Sequence, residues 1–225
     1  MEYLLDTANL FEIETYQSYF PIAGVTSNPS IVKKEGKIDF FSHMKQIRSI
    51  IGIDKSLHIQ VTASDAKGML KDAQAILDQV DDKVYIKVPV TLEGIKVIKM
   101  LRAEQINVTA TAIYTKQQGF LAMEAGANYI APYYNRMENS GIDPKETIAS
   151  LAAMIRQYNY GTKILAASFK NAGQIDQAFA AGAQSATMDP QILCEALQLP
   201  AITKAVNDFE KDWMDTFGQQ FLYQL

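Results

Sequence analysis

Eight short runs rich in β-branched and aromatic residues recur along this chain, and their spacing is the strongest constraint on its fold. They are EYLLDTA, AGVTSNP, LHIQVTA, VYIKVPV, NVTATAIY, NYIAPYY, KILAASF and QSATMDP. A polar residue stands near the end of each: Asp6, Asn28, Gln60, Lys87, Thr111, Tyr133, Ser168 and Asp189, at intervals of 22, 32, 27, 24, 22, 35 and 21 residues. Each interval accommodates one strand and one crossover helix. The intervening segments place apolar residues three and four apart, most clearly in DAKGMLKDAQAILDQV and PKETIASLAAMIRQY, which is the helical period. Two connections share a pattern, EAGANYIAP and AAGAQSATM, each with a glycine (Gly126, Gly182) where a helix should stop before a strand. Strands alternating with helices imply an α/β chain whose parallel sheet is covered by helices. Eight such units imply a (β/α)8 TIM barrel, and 225 residues is near the typical ~250. A doubly wound open sheet is the alternative, weakened because no strand is followed by G-x-G-x-x-G. No linker or low-complexity segment interrupts the chain. The expectation is one domain over 1–225, with the barrel in about 1–200 and a C-terminal helix in about 201–225.

Composition narrows the function classes. The chain has 25 acids and 21 bases, a net charge of -4, which argues against nucleic acid as the main partner. No apolar run is long enough to span a membrane. The start, MEYLLDTANL, is acidic and breaks its apolar run early, unlike a secretory signal. Cys194 is the only cysteine, so no intrachain disulfide can form, and a cytoplasmic location is expected. The NVT at Asn107 fits a glycosylation sequon, read here as coincidence.

The run KVYIKVPVT poses the chemical question. Val84, Ile86 and Val88 share one face and belong to a core, while Lys87 points the other way from between two β-branched residues. In a barrel of this type the active site lies at the C-terminal strand ends, and inward and outward residues alternate. Leu4 with Asp6, His58 with Gln60, Tyr85 with Lys87, Thr109 with Thr111, Ala131 with Tyr133 and Ala166 with Ser168 would then face inward, each pair ending on a polar group. A lysine held there loses part of its preference for the charged form, and a neutral amine attacks a carbonyl to form a Schiff base. Asp6 and Tyr133 are candidate proton carriers beside it. The alternatives are an Asp6–Lys87 ion pair that only ties strands together, or Asp6 as a helix N-cap in competition with Thr7 or Asn9. Arg136, Lys170 and the backbone after Ser168 could clamp a phosphate, or could be solvated surface charge. Only His43 and His58 are present and no H-x-x-x-H or C-x-x-C occurs, so no metal centre is expected. His58 is expected lower in the barrel, His43 on a helix and Cys194 in the core.

Taken together, LDTAN, GVTSNPS, IKVPVT with EGIKVIKML, AGANYIAPYYNR and LAASFKN resemble the transaldolase family, in its small-subunit, fructose-6-phosphate aldolase branch. The resemblance runs from Met1 to Trp213. It implies class I aldolase chemistry on a (β/α)8 barrel, with no metal and no cofactor. By that analogy Lys87 forms the imine with a ketose carbonyl and Asp6 deprotonates the hydroxyl on the carbon that is cleaved. Thr26, Asn28 and Thr111 contact substrate hydroxyls or the catalytic water, and Arg136, Ser168 and Lys170 receive the phosphate. Lys170 stands where the family often has arginine and lacks its bidentate fork. Counting back from Tyr114 puts Thr109 at a position that transaldolases usually fill with asparagine. Gln60 replaces a transaldolase glutamate, and Tyr133 replaces a phenylalanine. A tyrosine hydroxyl can protonate the enamine or organise water, and a glutamine can position water without ionising. These substitutions imply a lyase that reversibly cleaves fructose 6-phosphate to dihydroxyacetone and glyceraldehyde 3-phosphate. Transaldolase activity is the alternative, and a non-catalytic sugar-phosphate-binding barrel is a third reading.

Phe209, Trp213, Phe217 and Phe221 recur every four residues after the eighth unit, an apolar stripe on a helix. Left exposed it would be a liability. The resemblance implies that it packs on a neighbouring subunit in a homo-oligomer, a pentamer or decamer.

Overall fold

The computed structural model describes residues 1–225. In chain order the elements are β1 (Glu2–Asp6), α1 (Leu10–Tyr19), β2 (Ile22–Thr26), α2 (Pro29–Val32), a 3-10 turn (Lys33–Glu35), α3 (Phe40–Ile51), β3 (Ser56–Gln60), α4 (Ala66–Gln79), β4 (Tyr85–Pro89), α5 (Leu92–Ala103), β5 (Val108–Ile113), α6 (Lys116–Glu124), β6 (Tyr129–Pro132), α7 (Tyr134–Asn139), α8 (Pro144–Tyr158), β7 (Lys163–Ala166), α9 (Ala172–Ala180), β8 (Ser185–Met188), α10 (Pro190–Leu197) and α11 (Pro200–Phe217), with a last 3-10 turn at Leu222–Gln224. The eight strands pair in sequence order, all parallel, and β8 closes on β1. This is the (β/α)8 barrel that the spacing implies.

Local chemistry explains why each strand gives way to a helix. Asn9, Asn28, Asp65, Thr91, Thr115, Asn171 and Asp189 each cap a following helix through a side-chain oxygen. Such caps satisfy backbone N–H groups that have no intrahelical partner. The exception is α7, where Tyr133 occupies the cap position without a side-chain bond; its hydroxyl is used elsewhere. At the other end, Gly126 and Gly182 take positive φ (89° and 107°) just past α6 and α9, the left-handed stop expected of glycine.

Alternation along the strands separates two apolar regions. A cluster of 43 buried residues, including Val84, Ile86 and Val88, fills the space between sheet and helices, and Leu4, Tyr129 and Leu165 form a smaller one in the lumen with Ala23 and Tyr85. On β7 the phase differs from the sequence expectation. Leu165 faces the lumen and Ala166 belongs to the outer cluster. Ser168 still reaches the mouth because the chain has left the strand there, with φ at +64°.

The C-terminal segment also differs from a single helix over 201–225. α11 ends at Phe217, where Gly218 turns with φ at +68°. Phe221 therefore lies beyond the helix, and the Trp213 indole N–H donates to the Gln220 carbonyl at 2.7 Å. No residue of α11 is buried, and Ile202, Val206, Phe209 and Phe217 are exposed. No helix is long and apolar enough to cross a membrane.

Candidate active site

The C-terminal strand ends enclose a cup of about 530 Å³ lined by residues that include Asp6, Asn28, Gln60, Tyr133, Arg136, Ser168 and Lys170. It narrows to an inner chamber of about 90 Å³ where Lys87 and Thr111 join Asp6, Asn28, Tyr133 and Ser168. An apolar groove of about 230 Å³ lies elsewhere, walled by Tyr3, Phe20, Ile175 and Leu193, and holds no comparable polar set.

Lys87 stands on β4, between Gln60 on β3 and Thr109 on β5. It is 5% exposed. Its Nζ donates to the Ser27 carbonyl at 2.7 Å. The chain's four ion pairs do not include it, so the strand-tying Asp6–Lys87 contact is not formed. Burial pulls the amine down from its ordinary 10.5, and the Asp6 charge opposes this only in part. A desolvated amine without a contact ion pair is a poised nucleophile.

Asp6 ends β1, half-buried. Asn9, not Asp6, caps α1, which leaves the Asp6 carboxylate free for the cup. Burial raises it above the ordinary 3.8, against the attraction of Lys87 and a hydrogen bond from Thr26. That bond, Thr26 Oγ1 to Asp6 Oδ1, is 2.5 Å, and Thr26 also meets the Thr187 hydroxyl at 2.7 Å. Thr26 is wholly buried and is absent from the cup's lining. It stands behind Asp6, where it can orient the carboxylate.

Opposite Asp6, the Tyr133 and Thr111 hydroxyls lie 3.0 Å apart. Burial pushes the Tyr133 phenol up, so it stays a proton donor at neutral pH. The Arg136 guanidinium lies over its ring, 5.1 Å from the centroid, and reaches the Tyr114 hydroxyl at 3.3 Å. Asn28 caps α2 with its Oδ1, taking the N–H groups of Ser30 and Ile31; its amide nitrogen remains for the cup. The Gln60 Oε1 is buried with no partner. Arg136 and Lys170 are exposed on the rim, and the Lys170 backbone N–H is taken by Gln174. The cup thus brings together Lys87, Asp6, Tyr133, Gln60, Thr111, Asn28, Arg136, Ser168 and Lys170.

Some lining residues carried no site role in the sequence. Lys34, Thr187 and Asp189 also line the cup. Lys34 sits in the 3-10 turn after α2, so no strand-end rule points to it. Thr187 could have been found by continuing the β8 alternation from Ser185. Asp189 was noted as a strand-end residue, but its capping of α10 was not. His58 lies deep in the lumen, and His43 lies on α3 with Nε2 2.7 Å from the Ala8 carbonyl. Cys194, expected in the core, is half-buried on α10. No group of three or more His, Cys, Asp or Glu side chains is placed to hold a metal ion.

The model of the family described as Transaldolase/Fructose-6-phosphate aldolase matches residues 3–223. A Streptococcus pneumoniae protein named probable fructose-6-phosphate aldolase is 52% identical over 213 residues, covering 95% of this chain and 96% of that one.

Proposed function

This chain belongs to the transaldolase/fructose-6-phosphate aldolase family, and we propose that it is a class I aldolase that reversibly cleaves fructose 6-phosphate to dihydroxyacetone and glyceraldehyde 3-phosphate. The observation that carries the reading is Lys87: buried, lowered in pKa, and free of any contact ion pair. Its amine adds to the C2 carbonyl, and loss of water leaves a protonated imine. The imine draws the electron pair of the C3–C4 bond while Asp6 takes the C4 hydroxyl proton, so the aldehyde leaves. The remaining enamine is protonated at C3 by the Tyr133 hydroxyl or a water it holds. Water then hydrolyses the imine, releases dihydroxyacetone and frees Lys87. Gln60 and Thr111 position that water, and Asn28 holds a substrate hydroxyl. Arg136, Ser168 and Lys170 receive the phosphate, with Arg136 as the strongest contact. Neither a metal nor an organic cofactor is assigned a step.

Tyr133 favours release over transfer, because an acid in the cup removes the carbanion equivalent before an acceptor arrives. Transaldolase activity is the second reading, since the family includes it. Incubation with fructose 6-phosphate, with and without erythrose 4-phosphate, separates the two. Sustained glyceraldehyde 3-phosphate release without the acceptor is expected. Release only with it would make the enzyme a transaldolase, and none in either case would leave a sugar-phosphate-binding barrel. The exposed stripe of α11 supports a homo-oligomer with each chain one catalytic unit; a pentamer or decamer is what the family resemblance implies, and a cytoplasmic location is inferred from the single cysteine. Light scattering that returns a monomer mass at micromolar concentration would overturn that assembly.

A further inference from the structure

Beneath Lys87 the lumen holds a polar pair that the reaction above does not use. His58 on β3 and Thr109 on β5 are both completely buried. The imidazole Nδ1 lies 2.8 Å from Thr109 Oγ1. The ring stacks on Tyr85 at 4.7 Å and meets Tyr129 edge-on at 5.3 Å. Its Nε2 has no partner. Thr109 lies beside the lysine and His58 one layer below it, opposite Tyr85. Thr109 is the cross-strand neighbour of Lys87, and His58 lies two residues before Gln60, the neighbour on the other side. The Lys87 side chain reaches past β3 to the Ser27 carbonyl, and the Ser27 N–H is itself bonded to the His58 carbonyl at 3.0 Å.

Counting partners assigns the imidazole tautomer. The Thr109 hydroxyl has no other partner. If Nδ1 carried the proton and donated, both the hydroxyl hydrogen and the Nε2 lone pair would be stranded in a dry interior. If Thr109 donates to Nδ1, only an Nε2–H is stranded. Each stranded group costs stability, so the second arrangement holds. The ring stays neutral, because burial first, then the charges of Lys87 and Arg48, push its pKa well below 6.5. A phenylalanine here with an apolar residue at 109 would fill this slot with no stranded donor, so the polar pair and its unpaired N–H call for an explanation.

We propose that His58 and Thr109 form a positioning pair for Lys87: Thr109 locks the imidazole in its Nε2–H form, and the unpaired N–H is the positive end of a dipole in the lumen that disfavours the ammonium and favours the free amine. The inference rests on Lys87 as the imine-forming residue. The other titratable groups facing Lys87 are Asp6 from β1, Tyr133 after β6 and Arg136 on α7, with Lys34, Lys170 and Asp189 further out on the rim. His58 also faces Tyr85 on β4 and Tyr129 on β6, and feels Arg48 on α3. The remaining strands present Thr26, Thr109, Thr111, Leu165 and Thr187, none of which titrates.

The test is reductive trapping. The protein and its variants are mixed with dihydroxyacetone and cyanoborohydride from acid to mildly alkaline pH. The adduct on Lys87 is quantified by peptide mass spectrometry, and melting temperatures are measured alongside. His58→Phe exchanges the stranded N–H for an unpaired Thr109 hydroxyl, so its melting temperature stays near wild type. Its trapping curve moves to higher pH, and on the acid side the rate falls about threefold, less than the tenfold or more that a full neighbouring charge produces. Thr109→Val frees Nδ1 and moves the curve the same way, while Thr109→Ser keeps the hydroxyl and the wild-type curve. If His58→Phe does not fold, the two Thr109 variants decide. Curves that superimpose on wild type, or rates that fall equally at every pH, overturn the proposal. A wild-type protein that traps no adduct at Lys87 overturns the imine reading first, and the pair with it.

Discussion

Replacing Thr26 by valine removes one hydroxyl and little volume, and the structure fixes what that hydroxyl does. Thr26 is wholly buried and donates to Asp6 Oδ1 at 2.5 Å. A hydrogen bond to a charged group contributes about 1.5–3 kcal/mol, against about 0.5–1.5 for a neutral pair. In a chain of this length 1 kcal/mol moves the melting temperature by roughly 2–4 °C. Thr26→Val should therefore melt about 3–12 °C lower at neutral pH. The deficit is pH-dependent. Burial already holds the Asp6 carboxyl above its ordinary 3.8, against Lys87 and Thr26. A carboxyl with a raised native pKa keeps its proton longer folded than unfolded. Its ionisation therefore lowers stability as pH climbs from 3.8 through the native value. Without the Thr26 donor the carboxylate is disfavoured further, so the variant loses more stability at neutral pH than in acid, where only a neutral bond is lost. The acid limb of kcat/KM for fructose 6-phosphate cleavage moves to higher pH for the same reason. Thr26→Ser retains both properties. Calorimetry at two pH values and a pH–rate profile are sufficient. A melting deficit equal at both pH values, with an unmoved acid limb, would refute the role of Thr26 behind Asp6.

Other substitutions test other parts of the cup. Tyr133→Phe should slow acceptor-free release of glyceraldehyde 3-phosphate by about 10²–10⁴-fold, the range of general acid–base catalysis, while transfer to erythrose 4-phosphate persists; equal loss of both would refute a proton-donating Tyr133. Arg136→Ala should raise KM for fructose 6-phosphate by about 10–100-fold, the equivalent of one charged hydrogen bond. Synthesis from dihydroxyacetone and unphosphorylated glyceraldehyde should hold, and a parallel loss there would mean that Arg136 serves Tyr133 through their stacking instead. Gly94→Ala places a Cβ 1.9 Å from the Pro89 carbonyl oxygen, so the turn after the Lys87 strand must shift at a cost of about 1–3 kcal/mol. An unchanged melting temperature would show that this approach is not tight.

The sequence by itself determined the barrel. Strand and helix periods, and glycines such as Gly126 and Gly182, are local properties, and eight repeats leave few topologies. It also picked out Lys87, because a lysine opposite Val84, Ile86 and Val88 must face whatever the sheet encloses. Alternation carried this through Asp6, Thr111 and Tyr133, but it failed on β7. There the chain leaves the strand at Ser168 with a left-handed φ, and no residue type announces that conformation for a serine. Only the tertiary structure showed that Lys87 lacks a contact ion pair, that Thr26 lies behind Asp6 instead of lining the cup, and that Lys34 joins the rim. It alone brought His58 against Thr109, 51 residues away. The physical reason is one of range. Periodicity and capping act within a few residues, whereas desolvation, hydrogen-bond partners and the field at an amine depend on which strands the closed sheet sets side by side.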